Sequence, residues 1–420
     1  MSRKMIKYRR LVGNPLLITV IFILGISGLC SFLPAAEVIE PTSPVKVLGR
    51  CGRGALLEIS SQRVLLLAGS GYEMGYQQGY LLKSDVKKLV NTVLFTAKTA
   101  QIAGEKDPLI GGLPQAFKRT RNFIDERYHQ EMRGLAAGAG ITLPDVQLAN
   151  IFPELFHCSG FALFNQATKG GRLYHGRILD YLTEIGLQDY ALVVVVKPDG
   201  FHPFVTVGFA GFVGSVTGMN NQQVAVGEMG GRGEGLWDGM PMSFLVRKVL
   251  EEADDLKEAL ALFENTPRTC HYYYVVSDGK IPDARGLACT PDKFDLIAPG
   301  ESHPLLPHPF PDVVLMSAGD RYEHLAELTK EHYGHIDLNS ALDMMNRPVA
   351  MKSCLHRVLF APAEEKLWVA NAISPIGCEK YAACFQPYYP YDLNELLKMI
   401  PDVAPADAAP IPNAKKNQAP

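Results

Sequence analysis

The feature that most constrains the fold is a change in hydrophobic spacing near residue 158. Before it, residues 72–99 and 113–137 carry apolar side chains three and four positions apart, the spacing of helices that bury one face. After it, short runs of β-branched and aromatic residues are separated by turns such as 169–171 and 198–200. The other predicted elements are helices at 243–264 and 321–333 and strands at 55–67, 160–164, 173–176, 191–196, 203–208, 223–227, 271–277, 356–360 and 367–370. Runs of strands, helices and strands again, without alternating βαβ units, predict a layered α+β fold.

Residues 1–36 have the pattern of an export signal. Five basic side chains lie within residues 1–10, and an uncharged, mainly apolar segment follows at 11–33. Small residues at Ala35 and Ala36 suit cleavage by a signal peptidase. Because the apolar run is also near the minimum length that spans a bilayer, a retained membrane anchor is the alternative. In either case the body of the protein is expected to be exported, to a periplasm, a cell surface or the medium.

The charge of the chain excludes one class of partner. The full sequence carries a formal charge of -3, and the leader contains five basic and no acidic residues. Without the leader, 36 basic residues face 44 acidic ones, which gives a net charge of -8. Such a chain has no basic surface that would neutralise nucleic-acid phosphates, so nucleic acid is not expected as a partner.

Several catalytic and metal-binding motifs are absent from the sequence. There is no G-x-S-x-G, no H-E-x-x-H, no Walker-type loop and no C-x2-C pair. A serine α/β-hydrolase, a zinc peptidase, a P-loop enzyme and a zinc ribbon are therefore not expected. His332 and His335 lie one helical turn apart, but no carboxylate cluster accompanies them. We expect no metal and no other cofactor.

The cysteine count points to one reduced thiol. Of eight cysteines, Cys30 lies in the leader, which leaves seven in the exported protein. An odd number in an oxidising compartment predicts a free thiol. The other six allow three disulfides at most, and Cys270 with Cys289 and Cys378 with Cys384 are close enough in sequence to pair.

The free thiol is best assigned to Cys158, because of the residues that follow it. Cys158 opens a predicted strand, and the next strand ends with Arg177 and Asp180. If the two strands form a hairpin, both charged side chains approach the thiol, provided that the strands end or bulge there. A guanidinium favours the thiolate, and a carboxylate can orient a nucleophile. A buried structural cysteine beside an ordinary ion pair is the alternative interpretation.

The segment 149–181, ANIFPELFHCSGFALFNQATKGGRLYHGRILDY, resembles the cleavage region of N-terminal-nucleophile hydrolases. The group it is most similar to contains acid ceramidase, N-acylethanolamine acid amidase and isopenicillin N acyltransferase. The H-G-R-x-x-D motif at a fixed distance after the cysteine is the specific part of the resemblance. Further similar segments follow in the same order, at 69–82, 134–155, 209–228, 244–266 and 347–370.

The resemblance implies a fold and a division of the chain at Cys158. Residues 158–400 would form an αββα four-layer sandwich, the N-terminal-nucleophile hydrolase domain. Residues 37–157 would form a mainly helical propeptide region that could remain as an α subunit. Residues 401–420 are rich in Pro, Ala, Asp and Asn, and this composition predicts a disordered tail.

The resemblance also implies roles for individual residues. The His157–Cys158 bond would be the point of self-cleavage, after which Cys158 becomes an N-terminus. Its thiol would be the nucleophile, and its α-amino group, with a pKa of about 7.7 to 8.0, the general base. Arg177 and Asp180 match the arginine and aspartate that position the nucleophile. Glu228 matches a site glutamate of acid ceramidase, the alternative being a surface carboxylate at a strand end.

One position departs from the family. Related sequences carry an asparagine that donates to the oxyanion, within a segment resembling 313–322, and Ala318, or with a one-residue slip Ser317, stands there instead. Loss of such a donor raises a reaction barrier by roughly 3 kcal/mol, so a replacement is needed. The candidates are Ser317, a backbone N–H, and Asn220 or Asn221.

These inferences predict an exported, self-processing cysteine amidase or acyltransferase. It would cleave the C–N bond of a non-peptide, lipid-like N-acyl amide through a thioester on Cys158. The alternatives are a lipid-ester hydrolase like the phospholipase B-like proteins, and a processed but catalytically silent envelope binding protein. The missing asparagine motivates the second alternative.

Overall fold

A computed structural model provides the fold of the chain. The described residues are 37–41, 44–102, 108–151, 157–181, 185–231, 235–374 and 381–412. The predicted leader at 1–36 and the last part of the predicted tail, 413–420, lie outside them. None of the helices in these ranges is both long and apolar enough to cross a lipid bilayer.

Two sheets form the centre of the molecule. Ten strands make up the larger sheet: β1 (Lys46–Cys51), β2 (Gly54–Ile59), β3 (Gln62–Gly69), β6 (Ala191–Pro198), β7 (Phe204–Phe209), β8 (Thr217–Asn220), β9 (Val224–Gly230), β10 (Tyr272–Asp278), β11 (Asp283–Cys289) and β12 (Phe294–Ile297). The smaller sheet has the order β13 (Val313–Met316), β4 (His157–Asn165), β5 (Gly171–Asp180), β14 (Cys354–Ala361), β15 (Lys366–Asn371) and β16 (Tyr389–Asp392). Neighbouring strands are antiparallel except β3 and β6, which pair in parallel.

Helices pack against both sheets, mainly on their outer faces. They are α1 (Gly71–Leu81), α2 (Lys83–Ile102), α3 (Pro108–Thr120), α4 (Glu126–Ala139), α5 (Leu143–Ala149), α6 (Met242–Glu252), α7 (Leu256–Asn265), α8 (Asp320–His332), α9 (Leu338–Asp343) and α10 (Leu393–Lys398). Helices α1, α6 and α7 contact the larger sheet, whereas α8 and α9 contact the smaller one. The predicted layered α+β fold is thereby confirmed.

An apolar layer joins the two sheets. Alternate residues of the larger sheet, among them Val193, Val195 and Val205, point inward with Val358 and Phe360 of the smaller sheet. All five are buried. The intervening residues of the larger sheet belong to the core beneath the helices, as expected for strands buried on both faces.

Helices α1 and α4 lie unusually close together because glycines line their contact. A Cβ atom at Gly75 would lie 1.9 Å from the Glu131 carbonyl oxygen, and one at Gly134 would lie 2.0 Å from that of Tyr72. Only glycine permits such an approach of two helix backbones. The contact fixes the position of Glu131 within α4.

Several predicted elements differ from the observed ones. The predicted strand at 55–67 is two strands, because Ser60 and Ser61 take positive φ values of 49° and 61° and turn the chain. The predicted helix at 243–264 is α6 and α7, because the Asp255 side chain accepts from the Glu258 N–H and starts a new helix. The helical predictions at 72–99 and 113–137 likewise each span two helices, α1 with α2 and α3 with α4.

The region before Cys158 also contributes more than helices. It supplies β1, β2 and β3 to the larger sheet. Strand β3 pairs with β6, which follows Cys158, along six residue pairs that run from Val64 with Val193 to Gly69 with Pro198. The two sides of the proposed cleavage point therefore share one sheet.

The first part of the predicted disordered tail is ordered, so that prediction was wrong for 401–412. The Gly52 N–H donates to the Ala409 carbonyl at 2.9 Å, and the Ala409 N–H donates to the Arg50 carbonyl at 3.1 Å. Strand β1 lies at a sheet edge, where unpaired backbone groups can bind an extended segment. Composition gave no sign of this pairing.

Candidate active site

Cys158 lies at the start of β4, next to the end of β5. The register pairs His157 with Asp180, Cys158 with Leu179 and Gly160 with Arg177. Arg177 therefore projects from the same face of the sheet as Cys158, toward the larger sheet, whereas Asp180 projects from the opposite face. The predicted hairpin is present, and its strands begin at His157 and end at Asp180.

Arg177 contacts three groups, and together the four residues form what we call the thiol cluster: Cys158, Arg177, Glu228 and His356. Its NH2 group lies 3.3 Å from the Cys158 Sγ and 3.3 Å from a Glu228 carboxylate oxygen. Its NH1 group lies 2.8 Å from the His356 Nε2, and its Nε donates to the Glu228 backbone carbonyl at 3.2 Å. A Cβ atom at Gly227 would lie 2.9 Å from the Arg177 side chain, so this glycine lets β9 pass directly over the guanidinium.

Glu228 is fully buried, so the interpretation of this residue as a surface carboxylate is wrong. Its Oε2 faces Arg177, while its Oε1 makes no hydrogen bond within the described part of the chain. Burial raises the pKa of Glu228 to about 8, against the opposing effect of Arg177. This carboxyl group can therefore exchange a proton near neutral pH.

The thiol and the imidazole of the cluster are both driven toward their neutral forms. Burial raises the pKa of Cys158 to about 12, although Arg177 and a backbone hydrogen bond from Gly230 favour the thiolate. Burial and the positive charge of Arg177 hold the pKa of His356 well below its usual range. His356 is consequently a neutral acceptor for the guanidinium.

Asp180 has its own partners on the other face of the sheet. It forms an ion pair with Arg321 at the start of α8, and its Oδ1 accepts from the Met351 N–H at 2.9 Å. Burial raises the pKa of Asp180 to about 6, with Arg321 opposing the shift. Arg177 and Asp180 are each paired elsewhere, with Glu228 and Arg321, so the alternative of a simple ion pair between them is wrong.

A cavity of about 200 Å³ opens beside the thiol. Besides Cys158, its wall is mainly apolar and includes Met229, Gly230, Tyr273, Ile297, His303, Leu305, Leu306, Met316, Ser317, Ala318 and Gly319. Cys158 itself is 7% exposed, so a substrate must reach it through this space. An apolar cavity with one reactive thiol suits a substrate with an apolar acyl group.

Of the three side-chain candidates for the oxyanion donor, the structure brings one to this cavity. Ser317 lies in the cavity wall, whereas Asn220 and Asn221 lie at the turn between β8 and β9. The Asn220 amide donates to the Leu250 and Ala253 carbonyls, and its oxygen accepts from backbone N–H groups of the turn. Its hydrogen bonds are used by the end of α6 and by the turn, so it is not placed to serve a carbonyl beside Cys158.

The predicted disulfides can be compared with the structure in part. No disulfide links Cys270 to Cys289, both of which are described. Cys378 lies outside the described residues, so its pairing with Cys384 has no structural counterpart here. The Cys384 thiol donates to the Met351 carbonyl at 4.0 Å.

Four residues of the site were missed in the sequence: Ser159, His303, Arg321 and His356. His356 lies on β14, which pairs with β5 and places the imidazole next to Leu179. Arg321 and Ser159 meet only because β13 pairs with β4. These pairings join segments more than 150 residues apart, and spacing along one sequence carries no signal for them. Arg321 lies three positions after Ala318 in the sequence, and this closeness was the one sign that Arg321 belongs to the site.

Comparison with known proteins gives a family and several relatives. Residues 167–283 match the family described as acyl-coenzyme A:6-aminopenicillanic acid acyl-transferase, a segment that contains Arg177, Asp180 and Glu228. Protein dcd1B of Dictyostelium discoideum is 30% identical over 282 residues, which cover 60% of this chain and 56% of that protein.

Relatives with named activities include an amidase and a ceramidase. The N-acylethanolamine-hydrolyzing acid amidase of Rattus norvegicus is 27% identical over 210 residues, covering 47% of this chain and 56% of that protein. The acid ceramidase of Pan troglodytes is 26% identical over 244 residues, covering 51% and 57%. The chain thus spans little more than half the length of these relatives. These matches support the resemblance of the chain to the N-terminal-nucleophile hydrolases of the acid ceramidase, N-acylethanolamine acid amidase and isopenicillin N acyltransferase type.

Proposed function

We propose that this protein is an exported, self-processing cysteine hydrolase or acyltransferase that cleaves the C–N bond of an N-acyl amide. The observation that carries the proposal is the 3.3 Å contact between the Arg177 guanidinium and the Cys158 thiol, at the wall of an apolar cavity. A cation held against a thiol lowers the cost of forming the thiolate, which is the nucleophilic species. Export is proposed from the leader sequence alone.

Activation begins with the bond between His157 and Cys158. The Cys158 sulfur attacks the His157 carbonyl, the C–N bond breaks, and the chain is held by a thioester whose nitrogen is now a free amine. Water then hydrolyses the thioester, which releases the His157 carboxylate and restores the thiol. Glu228, with a pKa of about 8 and one oxygen without a hydrogen bond, is suited to exchange the protons of these steps.

Turnover of a substrate repeats this chemistry with a different base. The new α-amino group of Cys158 has a pKa of about 7.7 to 8.0 in the absence of perturbation, so it can take the thiol proton near neutral pH. It passes that proton to the departing amine when the C–N bond of the substrate breaks. Arg177 holds the sulfur in place, and the ion pair of Asp180 with Arg321 holds the end of β5 next to Cys158.

The N-terminal segment is proposed to remain bound after cleavage, as an α subunit. Its strand β3 is paired with β6, and its Glu131 forms an ion pair with the buried Arg247 of α6. Departure of the segment would leave Arg247 without this partner and would expose the edge of β6. Loss of one partner of a buried ion pair costs about 3 to 5 kcal/mol, which disfavours dissociation.

The substrate is proposed to be a small amide with an apolar acyl chain. The cavity wall offers leucine, isoleucine and methionine side chains near the sulfur, while charged groups of the described residues lie behind the thiol and not along this wall. The relatives include an enzyme named for hydrolysing N-acylethanolamines, a substrate of this kind. Whether water or a second amine accepts the acyl group depends on the acceptor that the cavity admits.

Intact mass measurement and N-terminal sequencing of the purified protein test this proposal. We expect a new chain that begins at Cys158 and co-elutes with the N-terminal segment in size-exclusion chromatography under native conditions. Cys158→Ala should remain a single chain, while Cys384→Ala, which removes another buried thiol, should be cut normally. A panel of N-acylethanolamines, ceramides, penicillins and lysophospholipids then identifies the substrate class. An uncut wild-type chain that forms no acyl adduct with any of them would overturn the proposal.

A further inference from the structure

A row of hydrogen-bonded groups leads from α8 to the cavity beside Cys158. The Arg321 NH2 donates to the Ser159 Oγ at 2.6 Å, and the Ser159 Oγ lies 2.7 Å from the Ser317 Oγ. We call these three residues the hydroxyl row. Ser159 is fully buried directly after the proposed nucleophile, and Ser317 lies in the cavity wall.

The chemistry of the groups fixes the direction of one of these two hydrogen bonds. A guanidinium can only donate, so the Ser159 oxygen accepts from Arg321. The Ser159 and Ser317 hydroxyls are hydrogen-bonded to each other, and either one can be the donor. When Ser159 donates to Ser317, the Ser317 proton is left for a group in the cavity.

Two further contacts hold the Arg321 side chain in place. Its Nε donates to the Val349 carbonyl at 2.7 Å, and its NH2 group forms an ion pair with the buried Asp180. A charged donor strengthens the hydrogen bonds that follow it in a row, because it polarises each hydroxyl in turn. The Ser317 hydroxyl is thereby a better donor than an isolated serine.

We propose that Ser317 donates the hydrogen bond that stabilises the oxyanion, with Ser159 and Arg321 as positioning residues; this rests on the proposed function. When the Cys158 sulfur bonds to the substrate carbonyl carbon, the C=O π electrons move to the oxygen, which accepts from the Ser317 O–H. When the carbonyl re-forms, the C–N bond breaks and the α-amine protonates the leaving nitrogen. Ala318, where related sequences have an asparagine, has no side-chain donor, and the neighbouring hydroxyl takes over that role.

The test compares serine variants of the processed protein, with an N-acyl aminomethylcoumarin as the probe. Removal of one oxyanion donor lowers kcat by about 10²-fold to 10³-fold, so we expect Ser317→Ala to lower kcat about 10²-fold with little change in KM. Ser317→Thr keeps a hydroxyl and should retain most of the activity. Ser159→Ala should lower kcat by about tenfold, since the donor remains but is no longer polarised.

The asparagine of related sequences supplies a rescue. The double variant Ser317→Ala with Ala318→Asn should recover at least about tenfold of the lost kcat, because an amide donor returns to this part of the wall. Thr329→Ala serves as the control: it removes another buried hydroxyl, which donates to the Leu325 carbonyl within α8 and does not line the cavity. It should leave kcat unchanged.

The outcomes separate this proposal from the function on which it rests. If the wild-type protein is uncut or hydrolyses no amide, the proposed function fails. If the wild type is active and Ser317→Ala keeps kcat within about threefold, the hydroxyl proposal is overturned. It is also overturned if Ser317→Thr loses as much as Ser317→Ala. Should Ser317→Ala fail to process itself, the comparison is made on the rate of self-cleavage, where the threonine and the rescued variants should both be cut.

Discussion

Two clusters of charged side chains, both buried in the described part of the chain, differ in how their charges are matched. The thiol cluster has one guanidinium, Arg177, for a carboxyl group, a thiol and an imidazole. The second, which we call the interface cluster, joins α4 to α6 across the proposed cleavage point. Its members are Arg127, Tyr128, Glu131, Arg247 and Glu251.

The interface cluster matches each buried acid with a cation. Arg247 binds both oxygens of Glu131, at 2.9 and 2.7 Å, and also contacts Glu251 at 2.8 Å. Arg127 contacts the other Glu251 oxygen at 3.1 Å, where the Tyr128 hydroxyl donates at 2.8 Å. Two guanidinium groups thus balance two carboxylates, and the hydrogen bonds are arranged for stability.

The thiol cluster cannot be balanced in this way. Its one positive charge can neutralise either the Glu228 carboxylate or the Cys158 thiolate, but not both. The pKa values raised to about 8 for Glu228 and about 12 for Cys158 follow from burial that a single cation offsets only in part. A buried cluster in which one group can gain or lose a proton suits catalysis. A cluster whose charges cancel suits the stable association of two segments.

Replacing Arg177 by methionine should have the largest effect on the reaction. We expect the rate of self-cleavage, followed on gels over time, to fall by about 10³-fold, since the thiolate loses its cation. The change in folding stability should be small, because Glu228 can become protonated when its partner is removed. Arg177→Lys keeps the charge but not the forked geometry, so its rate of self-cleavage should lie between those of the wild type and Arg177→Met. Cleavage of the methionine variant at the wild-type rate would contradict this role for Arg177.

Replacing Arg247 by methionine should lower the folding stability strongly and leave self-cleavage of the folded protein intact. It leaves Glu131 and part of Glu251 buried without a cation, and the free energy of unfolding should fall by about 3 to 5 kcal/mol in urea titrations. The folded fraction should still cleave itself. The control is Arg119→Met, which removes an exposed ion pair with Asp238 and should cost less than about 1 kcal/mol. Equal losses in the two variants would show that the interface cluster adds no stability.

Only part of this contrast could be predicted from the sequence. The layered α+β class, the hairpin and the approach of Arg177 to Cys158 follow from local spacing and one motif, because β4 and β5 are neighbours in the chain. The interface cluster could not be predicted, since the ion pairs that link α4 to α6 join residues more than a hundred positions apart. The glycines of α1 and α4 that set its geometry are visible in the sequence, yet nothing local says which helix they face.

The pKa values and contacts of the thiol cluster could not be predicted from the sequence either. The role of Glu228 depended on burial, which a residue at the end of a short strand does not reveal. His356 lies in a strand that pairs with β5 only in the folded sheet. In both cases the physical reason is the same: a pKa is set by what surrounds a group in space.

A smaller effect is expected from Tyr128→Phe in the interface cluster. The hydroxyl of this fully buried tyrosine donates to Glu251, and a hydrogen bond to a charged group is worth about 1.5 to 3 kcal/mol. The free energy of unfolding should fall by an amount in that range, while the rate of self-cleavage stays unchanged. Tyr80→Phe, at an exposed position, is the control and should be neutral. A slower cleavage in Tyr128→Phe would mean that the two clusters are coupled.

The smallest expected effect is a dependence of folding stability on pH that comes from the thiol cluster. Folding raises the pKa of Glu228 from 4.5 to about 8, so the folded protein binds a proton that the unfolded chain has released. This favours the folded state below pH 4.5, and the benefit is lost as the pH rises to 8. Asp180 acts in the same direction only up to about pH 6, and His175, whose pKa is lowered to about 3, acts in the opposite direction below 6.5. Among these three groups, Glu228 alone acts between pH 6.5 and 8.

Glu228→Gln should therefore flatten the pH dependence of stability in that window. In the uncleaved Cys158→Ala protein, we expect the free energy of unfolding in urea to fall by roughly 1 to 2 kcal/mol from pH 6.5 to 8. With Glu228→Gln added, this slope should disappear, since glutamine has no proton to release. Glu58→Gln, which alters an exposed pair with Lys46, should keep the slope. A slope that persists without Glu228 would place the surplus proton of the thiol cluster on another group, and Glu228 would lose its proposed part in proton exchange.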